Sequence, residues 1–247
     1  MRQPLLRQSN SQLGWVAAFT FAIVATAVTS PGARAPEPPT PNLPALTEPS
    51  LHQYRALRRM HAISERFDHE GWMDAWTEFD SGGFRYQIVA ERGSDTVRNK
   101  VLRALLKREQ EIIANGDFGR GELTPENYEF GAESSGSGVR YVTIKPKRKD
   151  AMLIDGRMVL SPEGELLRVE GQVAKNPSFW TSQVHLTRHY ARVDGVRVPI
   201  ATESLAKVKL VGRSQLNIVY EYTSVNGRPV RTGDLPASAE ISRVSGR

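Results

Sequence analysis

Strict alternation of apolar and polar side chains, in several separate stretches, is the feature that most constrains how this chain folds. Successive side chains of a β-strand point to opposite faces, so period-two alternation predicts strands with one apolar and one solvated face, as in antiparallel sheets. The apolar members of three such stretches are Phe84, Tyr86, Ile88 and Ala90; Leu167, Val169, Gly171 and Val173; and Leu216, Ile218, Tyr220 and Tyr222.

Turn-forming pairs punctuate these stretches at hairpin spacing. They are Asp155-Gly156, Glu163-Gly164, Asp194-Gly195, Gly212-Arg213 and Asn226-Gly227. No helix-length pattern separates the strands, which excludes parallel βαβ units. The sequence therefore predicts a mainly β domain of the α+β class. It consists of one curved antiparallel sheet, or an incomplete β-barrel, from about Met73 to Val225, with two helices over its apolar face.

The two helices are predicted from apolar residues that recur at steps of three and four. The first covers about residues 50–67 and opens on a capping-box pair; its positions are Ser50 and Gln53 for the cap, then Leu51, Tyr54, Leu57, Met60, Ile63 and Phe67. The second covers about residues 95–114, from a Ser94 cap to an Asn115-Gly116 stop. Its stripe of Val97, Val101, Leu102, Leu105, Leu106, Ile112 and Ile113 is wide and must face a substantial apolar surface.

The first 35 residues have the three parts of a signal peptide: a positive start, an apolar centre and small residues after it. Arg2 and Arg7 supply the charge, and residues 13–28 form the apolar run. This run of 16 residues is shorter than the roughly 20 that a spanning helix needs. We therefore expect an exported protein, periplasmic or secreted, cleaved at Ala33-Arg34-Ala35 or at Ala25-Thr26-Ala27. An uncleaved inner-membrane anchor formed by residues 13–28 is the alternative.

Four segments follow from these patterns. Residues 1–35 form the signal peptide, and the proline-rich residues 36–49 form an extended linker. Residues 50–228 form one β domain, a size that a single core supports. Residues 229–247 are polar and small, and are expected to form a loose tail.

Composition excludes several functions. The chain has no cysteine, which rules out both disulfides and anchoring through a lipidated cysteine. The formal charge of +6 includes Arg2, Arg7 and Arg34, so the mature chain carries 30 basic against 27 acidic residues. A net charge of +3 is not the footprint of a nucleic-acid binder.

Residues that could carry chemistry do not combine into a catalytic or metal-binding motif. His185 and His189 lie about 13 Å apart on a regular strand, too far to ligate one ion. The acidic residues from Asp150 to Glu170 fall in turns and on the solvated strand face. The serines near Ser135 lack a nucleophile-elbow pattern, and no phosphate-binding glycine motif is present. We expect neither an enzyme nor a bound cofactor or metal.

Aromatic residues raise a different possibility. Asn176-Pro177 opens a loop that carries Phe179 and Trp180, and further rings lie on the strands. In one interpretation these rings fill an ordinary core. In the other, the apolar strand face is a cavity for an apolar ligand. Its lining would then be Phe84, Tyr86, Ile88, Val169, Leu216, Ile218 and Tyr220, with Phe179 and Trp180 at the mouth.

The order of elements resembles a known family. An exported chain opens with a helix and continues as hairpins, with a strand-lysine-proline stretch (residues 141–150) and short strands around an acidic-glycine turn (residues 152–156 and 161–171). This is similar to the outer-membrane lipoprotein-sorting and carrier proteins, the LolA/LolB-like group, and their RseB-like sensor relatives, over about residues 73–225. The resemblance implies an incomplete antiparallel β-barrel whose helices close an apolar cavity for acyl chains, with no catalytic residue. It assigns no ligand residue by motif.

Two functional hypotheses follow. In the first, the protein binds, carries or senses a lipid or an acylated lipoprotein in the bacterial envelope, with peripheral or no membrane association. In the second, the same fold has a filled core and binds another envelope protein. A dry cavity of several hundred Å³ would favour the first, and packing at native density the second.

Overall fold

The computed structural model describes residues 49–65, 69–176, 181–209, 212–231 and 235. The predicted signal peptide, almost all of the proline-rich linker and most of the C-terminal tail therefore lie outside the described residues. So do Phe179 and Trp180, the two rings placed at the mouth of the predicted cavity.

One open antiparallel sheet of eleven strands dominates the fold. Its main path runs in the order β3-β2-β1-β10-β9-β8-β7-β6-β5-β4, and the short β11 pairs with β10. The strands are β1 Tyr54–Ser64, β2 His69–Asp80, β3 Gly83–Gly93, β4 Tyr128–Gly136, β5 Val139–Pro146, β6 Ile154–Leu160, β7 Leu166–Val173, β8 Thr181–Val193, β9 Val196–Val208, β10 Gly212–Val225 and β11 Arg228–Pro229. This confirms the predicted class, with the sheet open rather than closed.

Within the described ranges, one long helix covers part of one face of the sheet. It spans residues 95–114 and consists of an α-helical start, Asp95–Val97, a π-helical stretch, Arg98–Arg103, and an α-helical body, Ala104–Ala114. It ends at Asn115 and Gly116, whose φ is +73°, and a 3₁₀ turn, Asp117–Gly121, follows. The second predicted helix is therefore confirmed.

The first predicted helix, at about residues 50–67, is wrong. The chain there forms β1, in the interior of the sheet between β2 and β10. Its buried face is Tyr54, Ala56, Arg58, Met60, Ala62 and Ser64, a period of two. Arg58 and Ser64 on this face are polar, while Leu57 and Ile63 on the other face are apolar; with Tyr54 and Met60 these two give the appearance of helical spacing. Backbone pairing on both sides of the strand then decides the conformation.

Two of the five predicted turns are also wrong. Gly156 lies within β6 directly opposite Gly171 of β7, and a Cβ on Gly156 would lie 2.1 Å from the Glu170 carbonyl oxygen. Glycine is needed there because two backbones approach closely, not because the chain reverses. Gly212 and Arg213 begin β10. The other three pairs do form turns.

The apolar face of the sheet is divided into two main cores. The helix-covered core joins the long helix to β1, β2, β3, β10 and the adjoining parts of β8 and β9. The loop-covered core lies on β4 to β8 and is closed by irregular chain that contributes Leu123 and Leu153. Between them the buried Arg188 of β8 donates a hydrogen bond from Nε to Oγ1 of Thr202 on β9, at 3.3 Å. This polar pair interrupts the apolar surface.

Candidate functional site

A buried ion pair fastens the long helix to the sheet. Arg58 projects from the inner face of β1, Glu109 from the helix, and each is no more than 2% exposed. The guanidinium donates to both carboxylate oxygens; the Nη2–Oε1 distance is 2.9 Å. Nη2 also donates to the Tyr54 hydroxyl at 2.6 Å. The pair is therefore bidentate and has a third polar partner.

Aromatic rings complete the surroundings of Arg58. Its guanidinium carbon lies 5.0 Å from the ring centroids of both Phe84 and Tyr220, close enough for cation–π attraction. Burial by itself would lower the pKa of Arg58, but the Glu109 carboxylate holds this pKa well above its ordinary value. Arg58 is therefore charged at every physiological pH, and removing Glu109 alone would leave a buried charge without its counter-ion.

An apolar cavity of about 240 Å³ opens beside the start of the long helix. It lies at the end of the sheet where β1 ends and where β2 and β10 begin. Its lining residues are Ala62, Ile63, Ser64, His69, Thr96, Val97, Val101 and Ser214. Val101 belongs to the π-helical stretch, a local widening that often occurs at functional sites.

Three polar residues share one row of the sheet at this cavity. Ser64 pairs across the ladder with Ser214 of β10 on one side and with His69 of β2 on the other. Ser64 is 7% exposed, and its Oγ is buried with no hydrogen-bond partner in the described part of the chain. An unsatisfied buried hydroxyl is unusual enough to need an explanation.

A second groove, of about 450 Å³, lies on the opposite face of β1, β2, β3 and β10. At its centre the Trp72 ring stacks on His61 with 4.4 Å between ring centroids. The Arg92 guanidinium carbon also lies 4.3 Å from the Trp72 centroid. Arg59, Asp74 and Asn217 add polar groups to the lining. The groove is larger than the cavity beside the long helix, but its lining is more polar and its central ring already has two partners.

The residues predicted to line a cavity lie elsewhere. Phe84, Tyr86, Ile88, Leu216, Ile218 and Tyr220 belong to the helix-covered core or pack against it, whereas Val169 belongs to the loop-covered core. None of them lines either of the two cavities described above. Over the helix-covered core, the long helix fills the space above the strands with Leu102, Leu105, Leu106 and Ile113, and Val169 packs in the loop-covered core with Leu123 and Leu153.

Sequence reasoning missed Arg58, Glu109 and Ser64. A signal for the ion pair was present, because Arg58 interrupts an alternating apolar face and Glu109 interrupts the helical stripe between Leu105 and Ile113. One charge of each sign on two facing apolar surfaces indicates a buried pair. Ser64 gave no such signal, since a serine near a strand end is ordinary.

Comparisons with known proteins add no assignment. Neither a scan of known protein-family models nor a search of curated proteins found a match to this chain. Within residues 49–231 as described, no cluster of three or more histidine, cysteine, aspartate or glutamate side chains could hold a metal ion. The helices of the described ranges are all too short or too polar to cross a bilayer.

Proposed function

We propose that the protein binds a lipid-like ligand in the bacterial envelope, as a carrier or a sensor, and takes up an acyl chain in the cavity beside the long helix. The observation that carries this proposal is the cavity itself. It is walled by Ala62, Ile63, Val97 and Val101, and it lies between the long helix and the strands of the sheet. The predicted export signal supports the location, and the sequence resemblance supports the ligand class.

The size of the cavity supports an acyl chain as the ligand. An apolar cavity of about 150 Å³ suffices to bind benzene, and small-molecule sites begin near 300 Å³. The cavity, at about 240 Å³, is larger than a benzene-binding cavity and smaller than a typical small-molecule site. Each methylene taken from water contributes about 0.8 kcal/mol, so a chain of several methylenes would bind measurably after the entropic costs of association.

The second candidate function is binding of another envelope protein by a domain with a filled core. The observation that favours it is the dense packing of the residues that the sequence predicts to line a cavity. Leu216, Ile218 and Tyr220 are at most 5% exposed and lie under helix side chains. In this alternative the cavity of Ala62, Val97 and Val101 would be a packing defect without a ligand.

Displacement of a fluorescent fatty-acid probe tests the two candidates. Val101→Phe places a larger side chain in the cavity from a position that is only partly buried. The matched control is Val89→Phe, at a valine of β3 that is 50% exposed. We expect the wild type and the control to bind the probe alike, and Val101→Phe to bind it at least tenfold more weakly with an unchanged melting temperature.

Two results would contradict the proposal. Wild-type protein that binds no probe would leave the protein-binding alternative in its place. Probe binding that survives Val101→Phe would place the ligand somewhere other than this cavity.

A further inference from the structure

The Ser64 hydroxyl is the starting point for a narrower assignment of the ligand, which rests on the function proposed above. Ser64 lines the apolar cavity, is 93% buried, as its 7% exposure implies, and its Oγ lacks a hydrogen-bond partner within the described ranges. Burying a hydroxyl without a partner is costly, and a ligand that supplied an acceptor would remove that cost. A pure hydrocarbon would not.

The row that contains Ser64 makes this end of the cavity polar. Ser214 and His69 are its direct ladder neighbours, and both also line the cavity. Ala62, Val97 and Val101 supply the apolar remainder. The site therefore has two chemically distinct parts: a hydroxyl- and imidazole-bearing row, and an apolar chamber.

The part of the cavity wall that the long helix contributes indicates the sign of the charge on the ligand. Thr96 and Val97 belong to its first turn, where backbone N–H groups have no acceptor inside the helix. The side chain at the N-cap, Ser94, makes no capping hydrogen bond. The positive end of the helix dipole and the Ser64 hydroxyl, which has no partner in the described ranges, thus border the same cavity, and both favour an anionic acceptor.

The nearby carboxylates Asp95, Glu91 and Glu70 do not line the cavity and so do not oppose an anion there. Asp95 is 81% exposed and pairs with Arg98, which also pairs with Glu91 at 2.9 Å. Glu70 faces His61 at 3.3 Å on the opposite face of the sheet. None of these carboxylates is among the residues that line the cavity.

The volume of the cavity limits the length of the ligand's acyl chain. A group the size of a water molecule takes about 30 Å³, so 240 Å³ accommodates a single chain of roughly eight such groups. The two or three long chains of a phospholipid or a lipoprotein anchor exceed this space. We propose that the ligand of this site is a single-chain fatty acid of medium length, with its carboxylate at the row of Ser64 and its chain against Val97 and Val101.

Titration of the full-length protein at pH 8 with octanoate, methyl octanoate and palmitate tests this inference. We expect octanoate to bind best. Palmitate is too long for the chamber, and the methyl ester lacks the charge. Ser64→Ala should weaken octanoate binding about tenfold, as expected for a lost hydrogen bond to a charged group, and should weaken methyl octanoate binding less, because the ester carbonyl is a neutral acceptor. Ser224→Ala, near the other end of β10, is the matched control and should change neither.

The melting temperature separates a ligand-binding role of Ser64 from a structural one. Because the hydroxyl has no partner among the described residues, Ser64→Ala should melt no lower than wild type, whereas a structural serine would lower the transition. Equal binding of acid and ester, with no effect of Ser64→Ala, would overturn the fatty-acid assignment but leave apolar binding intact. Palmitate binding tenfold tighter than octanoate would overturn the chain length. Failure of all three ligands to bind would overturn the proposed function as well.

Discussion

The helix-covered and loop-covered halves of this sheet cover their apolar faces in different ways. Both halves are antiparallel strands that must hide one apolar face. Over β1, β2, β3 and β10 the cover is a helix of twenty residues held by the Arg58–Glu109 pair. Over β4 to β8 the cover is irregular chain, residues 115–127 and 147–153, which follows the surface of the strands.

The polar fastenings of the two halves differ accordingly. Under the helix the ion pair is almost completely buried. In the loop-covered half, Arg120 contacts Asp150 at 2.8 Å while itself 53% exposed. There, too, the Ile154 N–H donates to the hydroxyl of Tyr128 at 3.0 Å, and burial raises the pKa of Tyr128 to about 12. The helix-covered half is fastened by a buried ion pair, whereas the loop-covered half combines a partly exposed ion pair with a buried hydrogen bond.

This difference explains where the apolar cavity lies. A helix does not follow a twisted sheet along its whole length: Leu102 and Leu105 are fully buried, whereas Val97 and Val101, nearer the start of the helix, border the cavity. Irregular chain can adapt residue by residue. We therefore interpret the candidate ligand site as a consequence of covering this half of the sheet with a helix.

The largest effect is expected from a charge in the helix-covered core. Ile218 is 1% exposed, so Ile218→Glu buries a carboxylate without a partner and should cost several kcal/mol, enough to unfold a marginal domain. Val219→Glu is the control, one residue along β10 on the opposite, partly exposed face. Circular dichroism should show loss of the β signal for Ile218→Glu alone. A folded Ile218→Glu protein would mean that this core is open to water.

The second prediction concerns the ion pair. Glu109→Ala leaves Arg58 charged and buried, and should destabilise the protein by about 3–5 kcal/mol in urea unfolding. Replacing both residues with methionine should recover most of that loss, because an apolar pair has no desolvation cost. A double variant no more stable than Glu109→Ala would show that the pair is needed for reasons other than charge compensation.

How far the sequence predicts this molecule can be judged from the same residues. Alternation at Leu216 to Tyr222 and the wide stripe of the long helix depend only on local pattern, and both predictions are confirmed. The strand β1 was predicted wrongly because its buried face includes Arg58 and Ser64, which only tertiary partners can place inside. The cavity could not be predicted, since it depends on how a helix crosses strands that are distant in sequence.

The third prediction tests close strand packing in the loop-covered half. A Cβ at Gly156 would lie 2.1 Å from a backbone oxygen and 2.6 Å from the Cα of Gly171. Gly156→Ala must therefore push β6 and β7 apart, at a cost of about 1–3 kcal/mol. Gly119→Ala is the control, because its Cβ would meet nothing within 4 Å. Hydrogen exchange should increase in β6 and β7 and leave β1 and β2 unchanged if the two halves are independent; an equal increase in both halves would show one cooperative unit.

The smallest effect is expected at the half-exposed fastening of the loop-covered half. Burial alone would raise the pKa of Asp150, but the Met152 N–H, which donates to its carboxylate at 2.9 Å, and the guanidinium groups of Arg120 and Arg148 hold that pKa below its ordinary value. A carboxyl with a lowered pKa stabilises the fold above its unfolded pKa, near 4, and loses this contribution as pH falls through the folded value.

Asp150→Asn should therefore lower the stability at pH 7 and have progressively less effect below pH 4. Arg120 is 53% and Arg148 39% exposed, so solvent screens both pairs and the loss should be on the order of 1 kcal/mol. That corresponds to a melting temperature about 2–4 °C lower at pH 7 for a domain of this size. Melting curves of wild type and variant from pH 7 to pH 3 measure this difference in melting temperature.

Asp80→Asn is the control. Asp80 is a carboxyl of the other half that also pairs with an arginine, Arg85, but it lies on a solvated hairpin, so its replacement should shift the melting curve less. A difference between wild type and Asp150→Asn that grows toward pH 3 would contradict the assigned direction of the Asp150 shift.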